Sequence, residues 1–221
     1  MQTDKVEVDR PQETRSPRLL IGVAAALLVV GGLAVFRMAN GPAPAAAATP
    51  IETAVAYVNA YAAFDVETVE SMLAEDAEVL PWESYAPRDW KADLRFLEAA
   101  GFELIIDECL ELPGSAEGAR VTCHYDAHDL GSAEIGKGPF EGNTFRLVIV
   151  DGLVVSSDMG FNFSEFSGTM WFPFQRWIEE NHGEDFAILY VDETLTRQTD
   201  EAIALWEQRV PEYVEYVNGE G

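Results

Sequence analysis

Along Arg120 to Asp129, RVTCHYDAHD, two imidazoles and a carboxylate recur at every second position: His124, Asp126 and His128. If this stretch is extended, strand alternation brings all three to one side. An imidazole beside a carboxylate inside a pocket is equipment for general acid–base catalysis, one group moving a proton while its neighbour orients it. Mutual burial would shift their pKa values, the usual companion of such work. Asp158, on a later extended stretch, is a fourth candidate. The row also looks like a metal set, but two-residue spacing alone is weak evidence and no Cys-x-x-Cys pair exists. Neither a metal nor another cofactor is therefore expected. A second reading of the row stays open. Val121, Cys123, Tyr125 and Ala127 alternate with it, so the polar row is equally the solvated outer face of an amphipathic strand, with nothing catalytic in it.

Such a strand needs a partner. Phe102 to Leu112, FELIIDECLEL, precedes PGSAEGA, whose Pro113, Gly114 and Gly118 mark a turn. With Leu112 opposite Arg120, counting back along both segments sets Cys109 opposite Cys123, Glu108 opposite His124, Ile106 opposite Asp126 and Leu104 opposite His128. Cys109 and Cys123 are the only cysteines, and directly opposed residues have the short Cβ separation of a disulfide. A bridge is expected in an oxidising compartment; the alternative is two buried thiols.

The surrounding elements follow from period and punctuation. Thr49-Pro50-Ile51-Glu52 is a capping box with proline at the first helical position. Ile51, Val55, Val58, Tyr61 and Ala62 then form one stripe, and a second short helix carries Val66, Val69, Met72 and Leu73. Ala77 to Leu80 reads as a strand, Pro81 to Pro87 as a loop holding Trp82 and Tyr85, and Arg88 to Ala100 as a helix with Trp90, Leu94 and Leu97 inward. Thr144 to Val150 and Leu153 to Asp158 form a second hairpin across Asp151-Gly152. The aromatic block 161–177 reads as core rather than a stacking platform, with a helix over 173–181. Ile188 to Val191 is a candidate strand, and Thr199 caps a last helix bent or broken at Pro211.

AVAYVNAYAAFDVETVESMLAEDAEV at 54–79 and LVIVDGLVVSSD at 147–158 resemble the opening helices and closing hairpin of the nuclear transport factor 2-like superfamily, which includes SnoaL-like polyketide cyclases and ketosteroid isomerases. The resemblance covers about residues 50 to 163. It implies an α+β fold, a cone-shaped curved antiparallel sheet wrapped around helices with an apolar-lined cavity at the wide end. In that setting His124 or Asp126 would act as base, with Asp158 or Tyr57 as helper. Tyr57, Trp82, Trp90 and Glu108 would touch a small, partly apolar ligand. Many relatives form homodimers through the open sheet face.

Charge and hydropathy place the domain. Leu19 to Phe36 is an uncharged apolar run between Arg18 and Arg37, close to the ~20 residues that cross a bilayer. Four basic residues precede it and only Arg37 and Arg88 occur after it before Lys91, so residues 1–18 are expected inside and the domain outside. The expected organisation is a cytoplasmic segment 1–18, a cell-membrane anchor 19–36, a Pro/Ala linker 37–48, the cone domain 49–163 and an extension 164–221. From Gly41 onward 35 acidic residues face 9 basic ones, a net of −26, which excludes a nucleic-acid partner. The reading as a whole is a non-catalytic ligand-binding or protein-interaction module, with an isomerase, dehydratase or cyclase as the alternative.

Overall fold

The computed structural model describes residues 48–80, 85–86, 89–115 and 117–219. The anchor 19–36, most of the linker and Trp82 lie outside them. Helix α1 (Pro50–Ala62) starts on a complete capping box: the Glu52 N–H donates to the Thr49 hydroxyl at 3.2 Å, and the Thr49 N–H donates to the Glu52 carboxylate at 2.8 Å. After α2 (Val66–Met72), capped by Asp65, the chain passes directly into β1 (Leu73–Leu80). A two-residue strand, β2 (Tyr85–Ala86), precedes α3 (Trp90–Ala99), which Gly101 ends at φ +72°.

Strands β3 (Glu103–Ser115), β4 (Gly118–His128), β5 (Phe140–Val150) and β6 (Leu153–Gly160) complete a five-stranded sheet in the order β1-β6-β5-β4-β3. Asp151 and Gly152 both take positive φ, 51° and 80°, as the tight β5–β6 turn requires. The sheet is mixed rather than antiparallel, because β1 joins β6 in parallel. No hairpin links those two strands, so nothing local fixes their relative direction.

The β3–β4 register corrects one expectation. Cys109 does face Cys123, and Glu108 faces His124, but beyond them a β-bulge at Asp107 sets Ile106 against Tyr125, Leu104 against Ala127, Ile105 against Asp126 and Glu103 against His128. Regular alternation inward from Cys109 would bury Asp107 and expose Ile106 and Leu104. The bulge turns Phe102, Leu104 and Ile106 to the core and leaves Asp107 exposed.

The extension is helical. Phe163–Phe166 (α4) continues through a π-helical turn, Ser167–Trp171, into α5 (Phe172–Asn181), a longer helical run than expected. Pro173, lacking an N–H, sits where the π turn hands over to regular helix. Gly183–Leu189 is a helix, α6, where a strand was expected to begin at Ile188; Glu184 and Asp185 in its first turn favour that choice. Only Tyr190 beyond it is extended, bridging to Thr196. Strand β7 (Thr196–Arg197) runs parallel to β2, and α7 (Asp200–Val217) continues unbroken through Pro211. Trp206 of α7 meets Phe96 of α3 edge to face at 5.2 Å and stacks on Phe174 at 5.3 Å, while Phe166 packs on Phe140 at 5.2 Å. The extension therefore packs on the helical side and leaves the outer face of the sheet open.

Candidate functional site

The space between α1 and the inner sheet face is filled by rings. Tyr57 and Tyr61 meet Phe145 edge to face at 6.1 and 5.1 Å, Tyr125 lies 6.3 Å from Phe145, and Phe102 links Tyr125 to Phe161. Phe161 meets Phe166 of the extension at 5.2 Å, so the ring series runs from α1 to the tail. Fully buried among these groups is Asp93. The Tyr61 hydroxyl donates to its Oδ2 at 2.5 Å, and Gln198 Nε2 donates to Oδ1 at 3.3 Å. Burial pushes Asp93 up to about 7, although both donors favour its ionised form. Burial, reinforced by Asp93, pushes Tyr61 well up.

Burial pushes Tyr57 up to about 12; the Ser157 hydroxyl opposes that shift, yet neither hydroxyl reaches hydrogen-bond geometry with a partner. At the end of β4, Asp129 is also buried and pushed up to about 8, its Oδ1 accepting the Leu130 N–H at 2.8 Å. Its charge raises the Tyr125 and Tyr190 hydroxyls beyond what their burial does. Chemically, the interior holds two carboxyls that exchange a proton near neutrality and tyrosines that keep theirs.

The residues singled out in the sequence lie elsewhere. His124 is exposed, and Asp126 and His128 are half-buried, all on the outer face, while Val121, Cys123, Tyr125 and Ala127 are buried beneath them. His124, Asp126 and Glu108 come together with Asp107 and Glu141 around a groove of about 430 Å³, whose floor is Tyr125 and Asn143. His128 stands apart, its Nδ1 3.1 Å from the Ser132 hydroxyl. Asp158 pairs with Arg146 at 3.0 Å, exposed on the β5–β6 face. Tyr57 is inside, and Trp90, at the start of α3, carries Lys91 over its ring at 5.3 Å. Cys109 and Cys123 are bonded, with Cα atoms 3.9 Å apart. Among the described residues no three or more His, Cys, Asp or Glu side chains converge as a metal site.

Asp93 and Asp129 escaped the sequence reading. Asp93 did leave a signal: it falls between Trp90 and Leu97 on the apolar stripe of α3, where a carboxylate has no business unless it is partnered. Its partners, Tyr61 and Gln198, are 32 and 105 residues away. Asp129 left none, because it follows the last residue of an alternating strand, where polar residues are ordinary.

No protein-family model matches the sequence, and no curated protein matches it. Among solved structures it is similar to a nuclear transport factor 2-like protein of unknown function from Cytophaga hutchinsonii, at 10% identity over 52% of this chain and 91% of that one, with a TM-score of 0.35. It is similar also to a candidate polyketide cyclase from Pseudomonas putida, at 16% identity over 54% and 96%, with a TM-score of 0.38. A protein of unknown function with a cystatin-like fold from Xanthomonas campestris matches at 15% identity over 50% and 88%, with a TM-score of 0.36. Each likeness spans about half of this chain and says nothing of its activity.

Proposed function

We propose that this chain is a non-catalytic assembly module, held outside a cell membrane by residues 19–36, which pairs with a second copy through the outer face of its sheet. The words at 54–79 and 147–158 lie on α1 to β1 and on the β5–β6 hairpin, consistent with a nuclear transport factor 2-like cone. The observation that carries the reading is the filled interior beside an open sheet face. Tyr57, Tyr61, Tyr125 and Phe145 occupy the space a substrate would need.

The outer face, by contrast, exposes Ile105, Leu110 and Leu112 at 43%, 45% and 40% on β3. It is also a face of mixed charge. Arg120 and Arg146 stand in the ladder with His124 and His128, alternating with Glu108, Asp126 and Asp158. Two copies, each with a net charge of −26 from Gly41 onward, repel everywhere that acid is unrelieved, and least across a face of mixed sign. Sedimentation of the purified full chain should give a dimer, and Leu110→Asp with Arg146→Glu a monomer with unchanged circular dichroism. A wild-type monomer at tens of micromolar would overturn the pairing.

A second reading, an isomerase, dehydratase or cyclase, draws support from a different set than His124 and Asp126. The Tyr61–Asp93 pair and the unpartnered Tyr57 and Ser157 hydroxyls are the acid–base groups turned to the interior. That chemistry requires the ring series to part for a substrate.

A further inference from the structure

The helical extension, Phe163 to Val217, is tied together from within. Trp171 Nε1 and Gln175 Nε2 both donate to the Glu193 carbonyl, at 3.2 and 2.8 Å. Arg197 Nε donates to the Ala187 and Tyr190 carbonyls, and Arg209 pairs with Asp185 at 2.7 Å. Toward the sheet and α1–α3 its polar ties are few among the described residues: Gln198 to Asp93, the exposed pair Arg95–Asp200 at 2.7 Å, and the two-residue pairing of β7 with β2. Asn162, just before it, is fixed to β5, its N–H donating to Asn143 Oδ1 at 2.7 Å and its Nδ2 to the Glu141 carbonyl at 3.1 Å. Four buried polar atoms without a partner lie along the seam: Tyr190 Oη, Thr196 Oγ1, Gln198 Oε1 and Trp206 Nε1. All four residues belong to the extension and all meet the rest of the domain. Trp206 lies on Phe96, Gln198 holds Asp93, Thr196 pairs with Tyr85, and Tyr190 is within reach of the Asp129 charge. The closed seam keeps water from all four, a cost that ring packing offsets and that opening removes. We infer that the extension opens from the sheet as one unit, turning at Asn162, before the sheet itself unfolds, and that loss of the Asp93 proton favours the open form.

Asp93 couples the seam to pH because of what surrounds it. The groups facing it are Tyr61 of α1, Tyr125 of β4 and Gln198 of the extension, with Asp129 beyond Tyr125. None of these is a cation. Lys91 and Arg95, on its own helix, are turned outward to Glu70 and Asp200. In the closed form nothing positive among the described residues offsets an ionised Asp93, whereas in the open form water does. Burial holds its carboxyl up at about 7 against an ordinary 3.8, so between these values the closed form keeps a proton that the open form has lost. Opening therefore becomes easier as pH rises through that window and gains nothing further above it. The Arg209–Asp185 pair and the bonds to the Glu193 carbonyl lie wholly within the extension, so they survive the opening and carry α5, α6 and α7 away together.

Hydrogen exchange of the purified full chain, read by mass spectrometry at pH 6 and pH 8 and corrected for the intrinsic exchange rate, tests this. Peptides from α5, α6 and α7 should share one protection, about tenfold or more below that of β4 and β5. That protection should fall about tenfold or more from pH 6 to pH 8. In Asp93→Asn, which keeps an acceptor for Tyr61, the fall should be about tenfold smaller, because one carboxyl near 7 no longer contributes. Thr196→Val removes an unpartnered hydroxyl at nearly equal volume and should raise the extension's protection severalfold. Equal protection of extension and sheet would overturn the opening, and different protections for α5 and α7 would overturn the single unit. An undiminished fall in Asp93→Asn would overturn the coupling to that residue. Lowered protection in Thr196→Val would show that the hydroxyl has a partner, and the seam would lose its weakness.

Discussion

Asp93 is buried with an unfavourable charge and two donors, and its consequence is a pH dependence of stability. In the unfolded chain its pKa is near 3.8, and in the fold it rises to about 7, so between those values the folded state holds a proton that the unfolded state has lost. Stability from this group is fully present below about pH 4 and declines as pH rises through about 7. Asp129, raised to about 8, acts in the same direction over a slightly wider window. Asp93→Asn keeps an acceptor for Tyr61 without the charge. Denaturant midpoints at pH 5 and pH 8 should therefore differ less in this variant than in the wild type, with the variant the more stable at pH 8. An unchanged difference would show that Asp93 is neutralised by a route other than its own proton. The unpartnered hydroxyls of Tyr57 and Ser157 belong to the same scale: each is a buried polar group whose cost the surrounding ring packing outweighs.

Among the elements, the β3–β4 hairpin bears the strongest local constraint. The disulfide joins residues 14 positions apart beside the Asp107 bulge and ties the edge strand β3 to β4. An edge strand lacks a second neighbour, so a crosslink there removes disorder that backbone pairing on one side tolerates. Replacing both cysteines by serine should cost about 3 kcal/mol, the loop-closure entropy for a loop of this length. Urea denaturation of the double variant beside the wild type measures it, and a difference near zero would mean that the hairpin is already ordered in the unfolded chain. Helix α7 illustrates the opposite balance. Pro211 in its interior removes one hydrogen bond, yet Ala202, Ile203, Trp206, Val210 and Tyr213 are buried and hold the helix unbroken through it.

For the whole molecule, the separation of charge from hydropathy is the ground of the proposed placement. The uncharged run 19–36 with basic residues before it, and a net of −26 after Gly41, support an anchor with the acidic domain outside. The full chain should stay in the membrane pellet after alkaline carbonate extraction, whereas a chain beginning at Thr49 should be released. Recovery of a shortened chain, lacking the apolar run, in the supernatant when the full chain is expressed would identify that run as a cleaved signal. Among the described residues no helix is long and apolar enough to cross a membrane.

The sequence by itself determined the local features: the capping box at Thr49, the Asp151-Gly152 turn, the cap at Thr199 and the facing of Cys109 by Cys123. Each depends on residues a few positions apart, or on one turn that sets a register, and short-range sterics and hydrogen bonding act before any tertiary contact. The face of the His124 row was open, because alternation says that two sides differ and not which one meets the core. Only the tertiary structure decided it. The bulge at Asp107, the parallel docking of β1, the helix at 183–189 and the joining of Asp93 to Tyr61 and Gln198 all answer to burial across the chain. Burial is a property of the packed whole, in which one long-range contact outweighs the weak preference of any single segment.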